Sequence, residues 1–328
     1  MVWNPAHTAA IINPGAAGGR VGRSWDRLEP QLRSRLGPIR FLITERQGHG
    51  AVLAEQAVRE GARVVLSMGG DGTHNEVVNG IMAASPPAGS ITLGLLPAGT
   101  GGDLSRVLDT GSSALEAAQR IPECGAPLID IGQASYLGED GQPASRYFVN
   151  VGSLGLSGVV DRLVASGPKW MGGTLTFYLA TLRALLTYRP ARVQLSLDGV
   201  DIGTHDITTV LACNARYAGG GMLFAPAAQL ADGCFDVVII RYRSALNTVG
   251  LTPYIYRGTH VNTSLVDVHR GRRLVVTPVT DVPAWIDLDG EAPGRAPVTF
   301  SVVPQAIRLI GVRPAALSDT PARLLPRP

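Results

Sequence analysis

The first third of the chain repeats one pattern, in which a short apolar run is followed by a glycine-containing turn and then by a segment that can form a helix. The four apolar runs are Thr8–Ile12, Ile39–Ile43, Arg63–Met68 and Ile91–Leu96. Strands that alternate with helices of this length predict βαβ units and a parallel sheet covered by helices. Right-handed crossovers bring the carboxyl end of every strand to one edge of such a sheet. The sequence therefore predicts an N-terminal doubly wound, mostly parallel α/β domain whose glycine-rich turns meet at that edge.

The pattern changes from about Ala126 onward, where strand-like runs follow one another and turn pairs such as Asp198-Gly199 separate them. Val193, Leu195 and Leu197 alternate with polar residues, which is typical of a half-buried strand. The further runs are Pro127–Tyr136, Arg146–Val151, Arg192–Leu197, His205–Asn214, Cys234–Tyr242, Arg272–Thr277 and Pro297–Val303. We expect an α/β domain over residues 1–125 and a largely antiparallel β domain over 126–305, with helices near 155–187 and 244–257. A C-terminal segment of about 306–328 is expected to pack back on the first domain.

Charge and cysteine usage exclude several classes of function. Lys169 is the one lysine among 29 basic residues, so the other 28 are arginine and no P-loop lysine exists. The net charge of +3, the lack of basic runs and the 5% aromatic content argue against a nucleic-acid-binding protein. The three cysteines form neither a zinc motif nor a disulfide pattern. Without an evident signal peptide or membrane span, a cytoplasmic location is expected.

The glycine-rich segment after the third apolar run carries the strongest functional signal. Glycines at Gly69, Gly70 and Gly72 allow a polyphosphate to approach the backbone closely. The segment opens a helix, whose N-terminal N–H groups suit phosphate in a chain that lacks a P-loop lysine. Asp71 among these glycines would repel phosphate unless a cation intervenes, which suggests Mg²⁺ or a water network.

The start of that helix has candidate capping residues in Thr73 and Asn75, with Glu76 three positions after Thr73 in capping-box spacing. Two further turns have the same composition. One runs from Asn13 to Gly19, and the other from Leu95 to Asp103, with Gly99 and Thr100 at its centre. In a parallel sheet, all three turns converge on one crevice.

These motifs together resemble the catalytic domain of the diacylglycerol kinase family, which includes bacterial diacylglycerol and phosphatidylglycerol kinases, sphingosine kinases and ceramide kinases. The matching segments are Asn13-Pro14, Gly69–Thr73, Asn75–Gly80, Pro97–Asp103, Phe224–Asp236 and Ile286–Glu291. They occur in order over nearly the whole chain, which is far more specific than any one motif. The resemblance implies a first domain similar to those of NAD kinases and phosphofructokinases, a C-terminal β-sandwich domain and an active site in the interdomain cleft.

The same resemblance implies which residues bind ATP. Gly70 to Glu76 and Thr100 would contact the nucleotide, with Asn13, Gly69 and Gly99 in the surrounding turns, and Thr44 matches a threonine that lines the family's nucleotide site. An ordinary tight strand-to-helix turn, and a Thr44 hydroxyl without a ligand, remain the alternatives. The family usually has Asn where this chain has Gly102, so an amide near the nucleotide is missing.

Phosphoryl transfer to an alcohol needs a carboxylate that accepts the hydroxyl proton. The segment Ile286–Glu291 supplies Asp287, Asp289 and Glu291. By resemblance, either Glu291 or Asp289 is the proton acceptor and Asp71 its partner across the crevice, and the spacing does not decide between the two. The alternative is that Asp289-Gly290 is only a hairpin turn.

A cation site is expected around the Asp232-Gly233 turn. The carbonyl oxygens of Gln229 and Cys234 and the carboxylate of Asp232 can converge there, and such hard oxygen ligands suit Mg²⁺ or Ca²⁺. Bacterial lipid kinases of the resembling family carry a structural Mg²⁺ at the matching place. A metal-free turn remains open as the alternative.

The segment 171–187 is predicted to form a helix with an apolar stripe, formed by Leu175, Leu179, Leu182 and Leu186. The stripe is either a core-packing surface or part of an acyl-chain cleft facing a membrane. The glycine-rich loop from Gly219 to Phe224 is a candidate edge of the same cleft.

The sequence thus predicts an ATP- and Mg²⁺-dependent lipid kinase that transfers the γ-phosphate to a hydroxyl of a membrane lipid of the diacylglycerol, phosphatidylglycerol or sphingoid type. Peripheral membrane contact is expected, nucleic acid is not, and a homodimer is left open. Two alternatives remain. One is a kinase of a soluble substrate similar to NAD kinases, and the other is a nucleotide-binding regulator with weak catalysis.

Overall fold

The computed structural model describes residues 3–98, 102–108, 110–111, 113–166, 180–181, 183–185 and 187–312. The chain divides into two compact units. Of the described residues, the first comprises those up to Ile131, Gln229–Gly233 and 303–312, and the second comprises those within Gly132–Ala228 and Cys234–Val302.

The first unit is built on a parallel sheet. Its strands are β1 (Thr8–Ile12), β2 (Arg40–Ile43), β3 (Val64–Gly69) and β4 (Thr92–Pro97). A fifth strand is formed by residues 308–310, which are the end of the long strand β16 (Gly294–Ile310). The strand order is β2-β1-β3-β4-β16, and every neighbouring pair is parallel. All residues of β1 and β3 are buried, as expected of a parallel sheet that is covered on both faces.

Helices connect these strands, as the alternating pattern predicts. They are α1 (Ala16–Arg23), α2 (Trp25–Leu36), α3 (His49–Arg59), α4 (Asp71–Ala83), α5 (Asp103–Leu108) and α6 (Ala114–Arg120). Leu32 and Leu36 of α2 and Val77 and Ile81 of α4 are fully or almost fully buried. The apolar faces of the helices therefore stabilise the sheet from which the glycine-rich turns emerge.

The second unit is mainly antiparallel. Its strands are β5 (Leu128–Gly138), β6 (Pro143–Phe148), β7 (Val151–Gly155), β8 (Ala191–Leu197), β9 (Val200–Cys213), β10 (Tyr217–Ala218), β11 (Met222–Leu223), β12 (Phe235–Arg241), β13 (Val266–Gly271), β14 (Arg273–Pro278), β15 (Ile286–Leu288) and β16 (Gly294–Ile310). β5 and β16 contribute residues to both units. The helices of this unit that are described over their full length are α7 (Leu156–Ser166) and α8 (Ala245–Arg257), and the described residues between 180 and 187 are also helical.

The longest run of strand pairs in this unit is β13-β12-β9-β8-β14-β16, while β7 pairs with β9 and β15. Phe148 is the centre of its core, because its ring stacks on Phe235 at 5.6 Å and meets Phe300 edge to face at 5.9 Å. Gly132 and Gly152 leave room for that ring, since a Cβ at either position would lie within 3 Å of it.

The structure confirms the fold class and adds detail that the sequence patterns lacked. The predicted Asp198-Gly199 turn joins β8 to β9, with φ of 52° and 84°. The run Arg146–Val151 is divided between two strands, β6 and β7, and β13 was not predicted. In the part of the chain that the structure describes, no helix has the length and hydropathy needed to cross a bilayer.

Candidate active site

The first candidate site lies where the strand order of the parallel sheet reverses. The chain goes from β1 to β2 on one side and then to β3 on the other, so β1 and β3 are neighbours whose following turns lead in opposite directions. Open α/β sheets bind ligands at such a switch point, beyond the carboxyl ends of the strands. The turns that begin at Asn13 and Gly69 emerge at this point.

Asn13 and Thr73 join the two turns. The Asn13 side chain donates from Nδ2 to the Thr73 hydroxyl at 2.9 Å, and its Oδ1 accepts the Gly15 N–H at 2.9 Å. The following residues, Ala17 to Gly19, have left-handed backbone with φ of 55°, 66° and 79°, which glycine favours. The turn after β1 is therefore compact and held against α4.

The start of α4 differs from the sequence prediction. The helix begins at Asp71, its N-cap is Gly70, and no described side chain caps it. Thr73 and Asn75 are the third and fifth residues of the helix and not its N-cap, so the prediction that they cap the helix was wrong. The Thr73 hydroxyl accepts from Asn13 instead. The uncapped N–H groups at this end of the helix can donate hydrogen bonds to an anion.

Glycine is needed at one position of this turn and leaves space at the next. A Cβ on Gly69 would lie 2.4 Å from the Thr73 hydroxyl oxygen, too close for any side chain. Among the described residues, no atom would lie within 4 Å of a Cβ on Gly70. This part of the chain therefore leaves room for an anionic group beside the Gly70 backbone, and the phosphate site stays a prediction.

Asp71 holds the beginning of α5. Its carboxylate accepts the N–H of Asp103 at 2.8 Å and that of Leu104 at 3.3 Å. Burial raises the pKa of Asp71 above its ordinary value, while these N–H groups and the charge of Arg106 act in the opposite direction. A Cβ on Gly102 would lie 2.7 Å from the Asp71 Oδ1, so glycine at 102 accommodates this arrangement.

Two other predicted nucleotide-site residues have structural contacts. The Glu76 carboxylate accepts the N–H of Gly48 at 2.8 Å and that of Gly50 at 3.0 Å, which fixes the beginning of α3. Thr44 is buried at the end of β2, and its N–H bonds to the Ile12 carbonyl at 2.8 Å. Gly99 and Thr100 lie outside the described residues. Asn75 is almost fully buried in α4.

The second unit contains the predicted catalytic carboxylates. Asp289 and Gly290 form a tight two-residue turn with φ of 53° and 90°, closed by backbone hydrogen bonds between Leu288 and Glu291. The Asp289 carboxylate accepts three N–H groups, from Val149 at 2.7 Å, Asn150 at 2.9 Å and Val151 at 3.0 Å. Asp289 therefore fixes the connection between β6 and β7.

Glu291 has a different environment. Its Oε2 forms an ion pair with Arg146 at 2.7 Å, and both side chains are 24% exposed. Asp289 already uses both carboxylate oxygens for backbone donors, whereas Glu291 presents one oxygen to a single arginine. The two carboxylates that the sequence left as alternatives are thus distinguishable by their contacts.

A buried acid pair was missed by the sequence analysis. Asp161 on α7 forms a hydrogen bond with Asp287 on β15, and Asp287 also accepts from the Ser153 hydroxyl at 3.0 Å. Burial raises the pKa of Asp161 to about 6 and raises that of Asp287 well above its ordinary value. Such a pair holds a proton between its two carboxyl groups near neutral pH. In the sequence, Asp161 is a single acidic residue in an amphipathic helix, and nothing in that pattern predicts its pairing with Asp287.

Beside the acid pair lies a cavity of about 490 Å³ within the second unit. Asp161, Asp287 and Ser153 line part of it, and most of its wall is apolar, including Leu156, Val160, Leu211, Ile240 and Leu251. Its volume falls within the range of sites that hold small molecules.

The segments predicted to form a lipid cleft contribute to this wall where the structure describes them. Thr181 and Leu185 line the cavity, and so do Gly219, Met222 and Phe224 of the glycine-rich loop. Leu175, Leu179, Leu182 and Leu186 lie outside the described residues.

The expected cation site stays a prediction. Asp130 organises the turn by accepting the Gly233 N–H at 2.7 Å and by donating its own N–H to the Leu230 carbonyl. Among the described residues, no three His, Cys, Asp or Glu side chains are grouped to hold a metal. The predicted ligands include the carbonyl oxygens of Gln229 and Cys234 beside the Asp232 carboxylate, and such a ligand set is not tested by side chains alone.

Comparison with known proteins gives consistent matches along the chain. Residues 7–134 match the family model of the diacylglycerol kinase catalytic domain, and residues 150–311 match that of the YegS C-terminal NAD kinase beta sandwich-like domain. A diacylglycerol kinase of Mycobacterium tuberculosis is 30% identical over 307 residues, covering 93% of this chain and 94% of the relative. One of Bacillus subtilis is 31% identical over 247 residues, covering 75% of this chain and 76% of the relative.

Solved structures support the fold. A diacylglycerol kinase structure from Bacillus anthracis has a TM-score of 0.68 at 18% identity, covering 94% of this chain and 97% of that one. An NAD kinase from Archaeoglobus fulgidus in complex with ATP has a TM-score of 0.51 at 14% identity, covering 94% and 95%. The family resemblance seen in the motifs is confirmed by relatives that align along most of the chain, and the protein belongs to the diacylglycerol kinase family.

Proposed function

We propose that this protein is a lipid kinase that transfers the γ-phosphate of ATP to a hydroxyl group of a membrane lipid such as diacylglycerol. The observation that carries the proposal is the mainly apolar cavity of about 490 Å³, which has Asp287 in its wall. Asp287 lies four residues before Glu291 on the same strand and turn. An apolar cavity beside a carboxylate turn suits a substrate with a hydroxyl group and an apolar body better than it suits a dinucleotide.

The turn after β3 is proposed as the triphosphate site. It lies at the switch point of the sheet, the described residues leave room beside Gly70, and α4 begins there without a side-chain cap. Each of these features favours an anion. In a chain whose one lysine is Lys169, backbone N–H groups then contribute much of the phosphate binding.

Asp71 is the residue at this turn that fits a hard cation. Its two oxygens accept one N–H each, which leaves lone pairs for Mg²⁺ or for its bound water. When bound with ATP, Mg²⁺ would neutralise charge that develops on the transferred phosphoryl group.

Glu291 is proposed as the proton acceptor, with Asp289 as the residue that shapes the turn. The three N–H groups hold the Asp289 carboxylate in place, whereas Glu291 has a second oxygen beyond the one in its ion pair with Arg146. Arg146 would orient the Glu291 side chain. In the reaction the lipid hydroxyl oxygen attacks the γ-phosphorus while its proton passes to Glu291. The bond from the γ-phosphorus to the bridging oxygen breaks, and ADP leaves.

The test is a mixed-micelle assay with labelled ATP and Mg²⁺, in which diacylglycerol, phosphatidylglycerol, a sphingoid base and NAD are offered separately. We expect label in one of the lipids and none in NAD. The Glu291→Gln variant, whose shape and neighbours change least, should lower lipid labelling by about 10²- to 10⁴-fold. Labelling of NAD while all lipids stay unlabelled would refute the proposal in favour of a kinase of a soluble substrate. Retention of full activity by E291Q would refute the role of Glu291.

A further inference from the structure

Helix α8 (Ala245–Arg257) has two apolar faces, of which one is inside the second unit. Leu251 and Ile255 are buried, and together with Thr248, Thr252 and Tyr256 they line the cavity. This inner face accounts for the helix packing against the unit. Nothing in its packing requires apolar residues on the opposite side of the helix.

The outer face of α8 nevertheless exposes large apolar side chains. Leu246 is 84% exposed, Val249 50%, Tyr254 48% and Tyr256 52%. Leu246, Val249, Tyr256 and Pro253, which is also exposed, follow one side of the helix at spacings of three, four and seven residues. Tyr256 lies at the border with the inner face, and Tyr254 lies on the neighbouring flank of the helix. Single exposed apolar residues are common on protein surfaces, but a contiguous group on one helix marks an interaction surface.

The charged residues of the segment that contains α8 have one sign. No Asp or Glu occurs between Tyr242 and Val266, and Arg243 and Arg257 at the two ends of the helix are exposed. Of the two acidic residues that flank this segment in the sequence, Asp236 is buried and Asp267 is paired with Arg241. A helix with an apolar face, aromatic residues and arginines at its ends has the features of one that lies in the interface of an anionic bilayer.

We propose that the outer face of α8 is the membrane-docking surface of this protein and that its partner is a bilayer containing anionic lipids. Leu246 and Val249 would insert below the headgroups, Tyr254 and Tyr256 would lie at the headgroup level, and the terminal arginines would face anionic headgroups. Because the inner face of the same helix lines the cavity, docking of the outer face would place the bilayer next to the wall of the cavity. The inference rests on the proposed function only for the lipid nature of the cavity's ligand.

The test measures membrane binding separately from catalysis. The full-length protein is sedimented with vesicles of phosphatidylcholine alone and of phosphatidylcholine with phosphatidylglycerol, both without diacylglycerol or ATP. We expect binding to the anionic vesicles, and a loss of about tenfold or more for the Leu246→Glu/Val249→Glu variant. The matched control is Val200→Glu/Val279→Glu, which adds the same charge at two exposed valines of the same unit, one at the start of β9 and one directly after β14. It should bind like the wild type.

A second readout distinguishes docking from chemistry. Labelled ATP is offered with a short-chain, water-dispersed diacylglycerol and with diacylglycerol in the anionic vesicles. The α8 variant should phosphorylate the dispersed substrate within about twofold of the wild type but lose vesicle-dependent activity in proportion to binding. If the wild type binds vesicles through α8 yet phosphorylates no lipid, docking holds and the proposed function fails. If the α8 variant binds vesicles as well as the wild type does, the docking proposal is overturned. It is also overturned if the wild type is a dimer and the α8 variant is a monomer, because this face would then be a contact between two copies of the chain.

Discussion

Asp289 and Glu291, two residues apart, should respond to mutation in opposite ways. Asp289→Ala removes the acceptor of three N–H groups that belong to the almost fully buried residues 149–151. Each hydrogen bond to a charged group contributes about 1.5–3 kcal/mol, and bonds that share one carboxylate are not additive. We therefore expect the free energy of unfolding to fall by about 3–5 kcal/mol.

Glu291→Gln changes much less of the folded structure. It weakens one partly exposed ion pair with Arg146, which contributes about 1 kcal/mol or less. Its expected effect on the free energy of unfolding is correspondingly small, although it should abolish most of the phosphoryl transfer.

The assay is urea denaturation followed by circular dichroism. The slope of the unfolding free energy against urea concentration is compared among the variants, because a change in the urea midpoint reports stability when this slope stays the same. The matched control is Asp198→Ala. Asp198 occupies the same position of a similar turn, with φ of 52°, and accepts the N–H groups of Arg272 and Arg273 at an exposed site. We expect about 1 kcal/mol for this control. If Asp289→Ala costs no more than Asp198→Ala, or if Glu291→Gln costs as much as Asp289→Ala, the division of roles between the two carboxylates is wrong.

Three further changes test other parts of the account. Gly69→Ala should lower the free energy of unfolding by about 1–3 kcal/mol and weaken ATP binding, because the added Cβ would lie 2.4 Å from the Thr73 hydroxyl oxygen. Unchanged ATP binding in a calorimetric titration would contradict this. Gly102→Asn should displace the Asp71 carboxylate from the start of α5 and lower the unfolding free energy by about 1 kcal/mol, and a melting temperature equal to that of the wild type would show that Asp71 has room. Burial raises the pKa of Asp161 to about 6, so the folded protein binds a proton on Asp161 more tightly than the unfolded chain does. The stability that this proton contributes is present below about pH 4 and is lost as the pH rises through about 6. Asp161→Asn should therefore gain about 1–2 kcal/mol relative to the wild type between pH 5 and pH 7 in urea titrations, whereas a constant difference would refute the raised pKa of Asp161.

The sequence was sufficient to predict the first unit, because its strands are short continuous apolar runs bounded by glycine. β1 has the predicted bounds of Thr8–Ile12, and β3 and β4 begin and end one residue later than predicted. Fully buried parallel strands have no alternating pattern to be misread, and the turns between strand and helix mark their ends clearly.

Strand β13 shows why the second unit was harder to predict. Its sequence, Val-Asp-Val-His-Arg-Gly, exposes or half-exposes four of its six residues. It pairs with β12 and is the last strand in its order, where a strand is specified by backbone pairing more than by apolar side chains. A search for apolar residues in the sequence therefore does not detect such a strand.

The side-chain contacts of the candidate site depended on tertiary structure. The motif predicted which residues gather at the turn after β3, but not that Thr73 bonds to Asn13, 60 residues away, in preference to capping its own helix. The pairing of Asp161 with Asp287 likewise joins a helix and a strand that are distant in sequence. No local spacing predicts such contacts, since they arise when separately formed elements pack together.

The most direct test of the central claim separates nucleotide binding from transfer in one experiment. The wild type and the Glu291→Gln variant are each saturated with labelled ATP and Mg²⁺ and then mixed with dispersed diacylglycerol, and the first turnover is followed. Our account predicts equal ATP affinity, within about twofold, and a transfer rate that is at least about 10²-fold lower in the variant. Equal transfer rates would contradict the account, because the proton of the lipid hydroxyl would then have another acceptor.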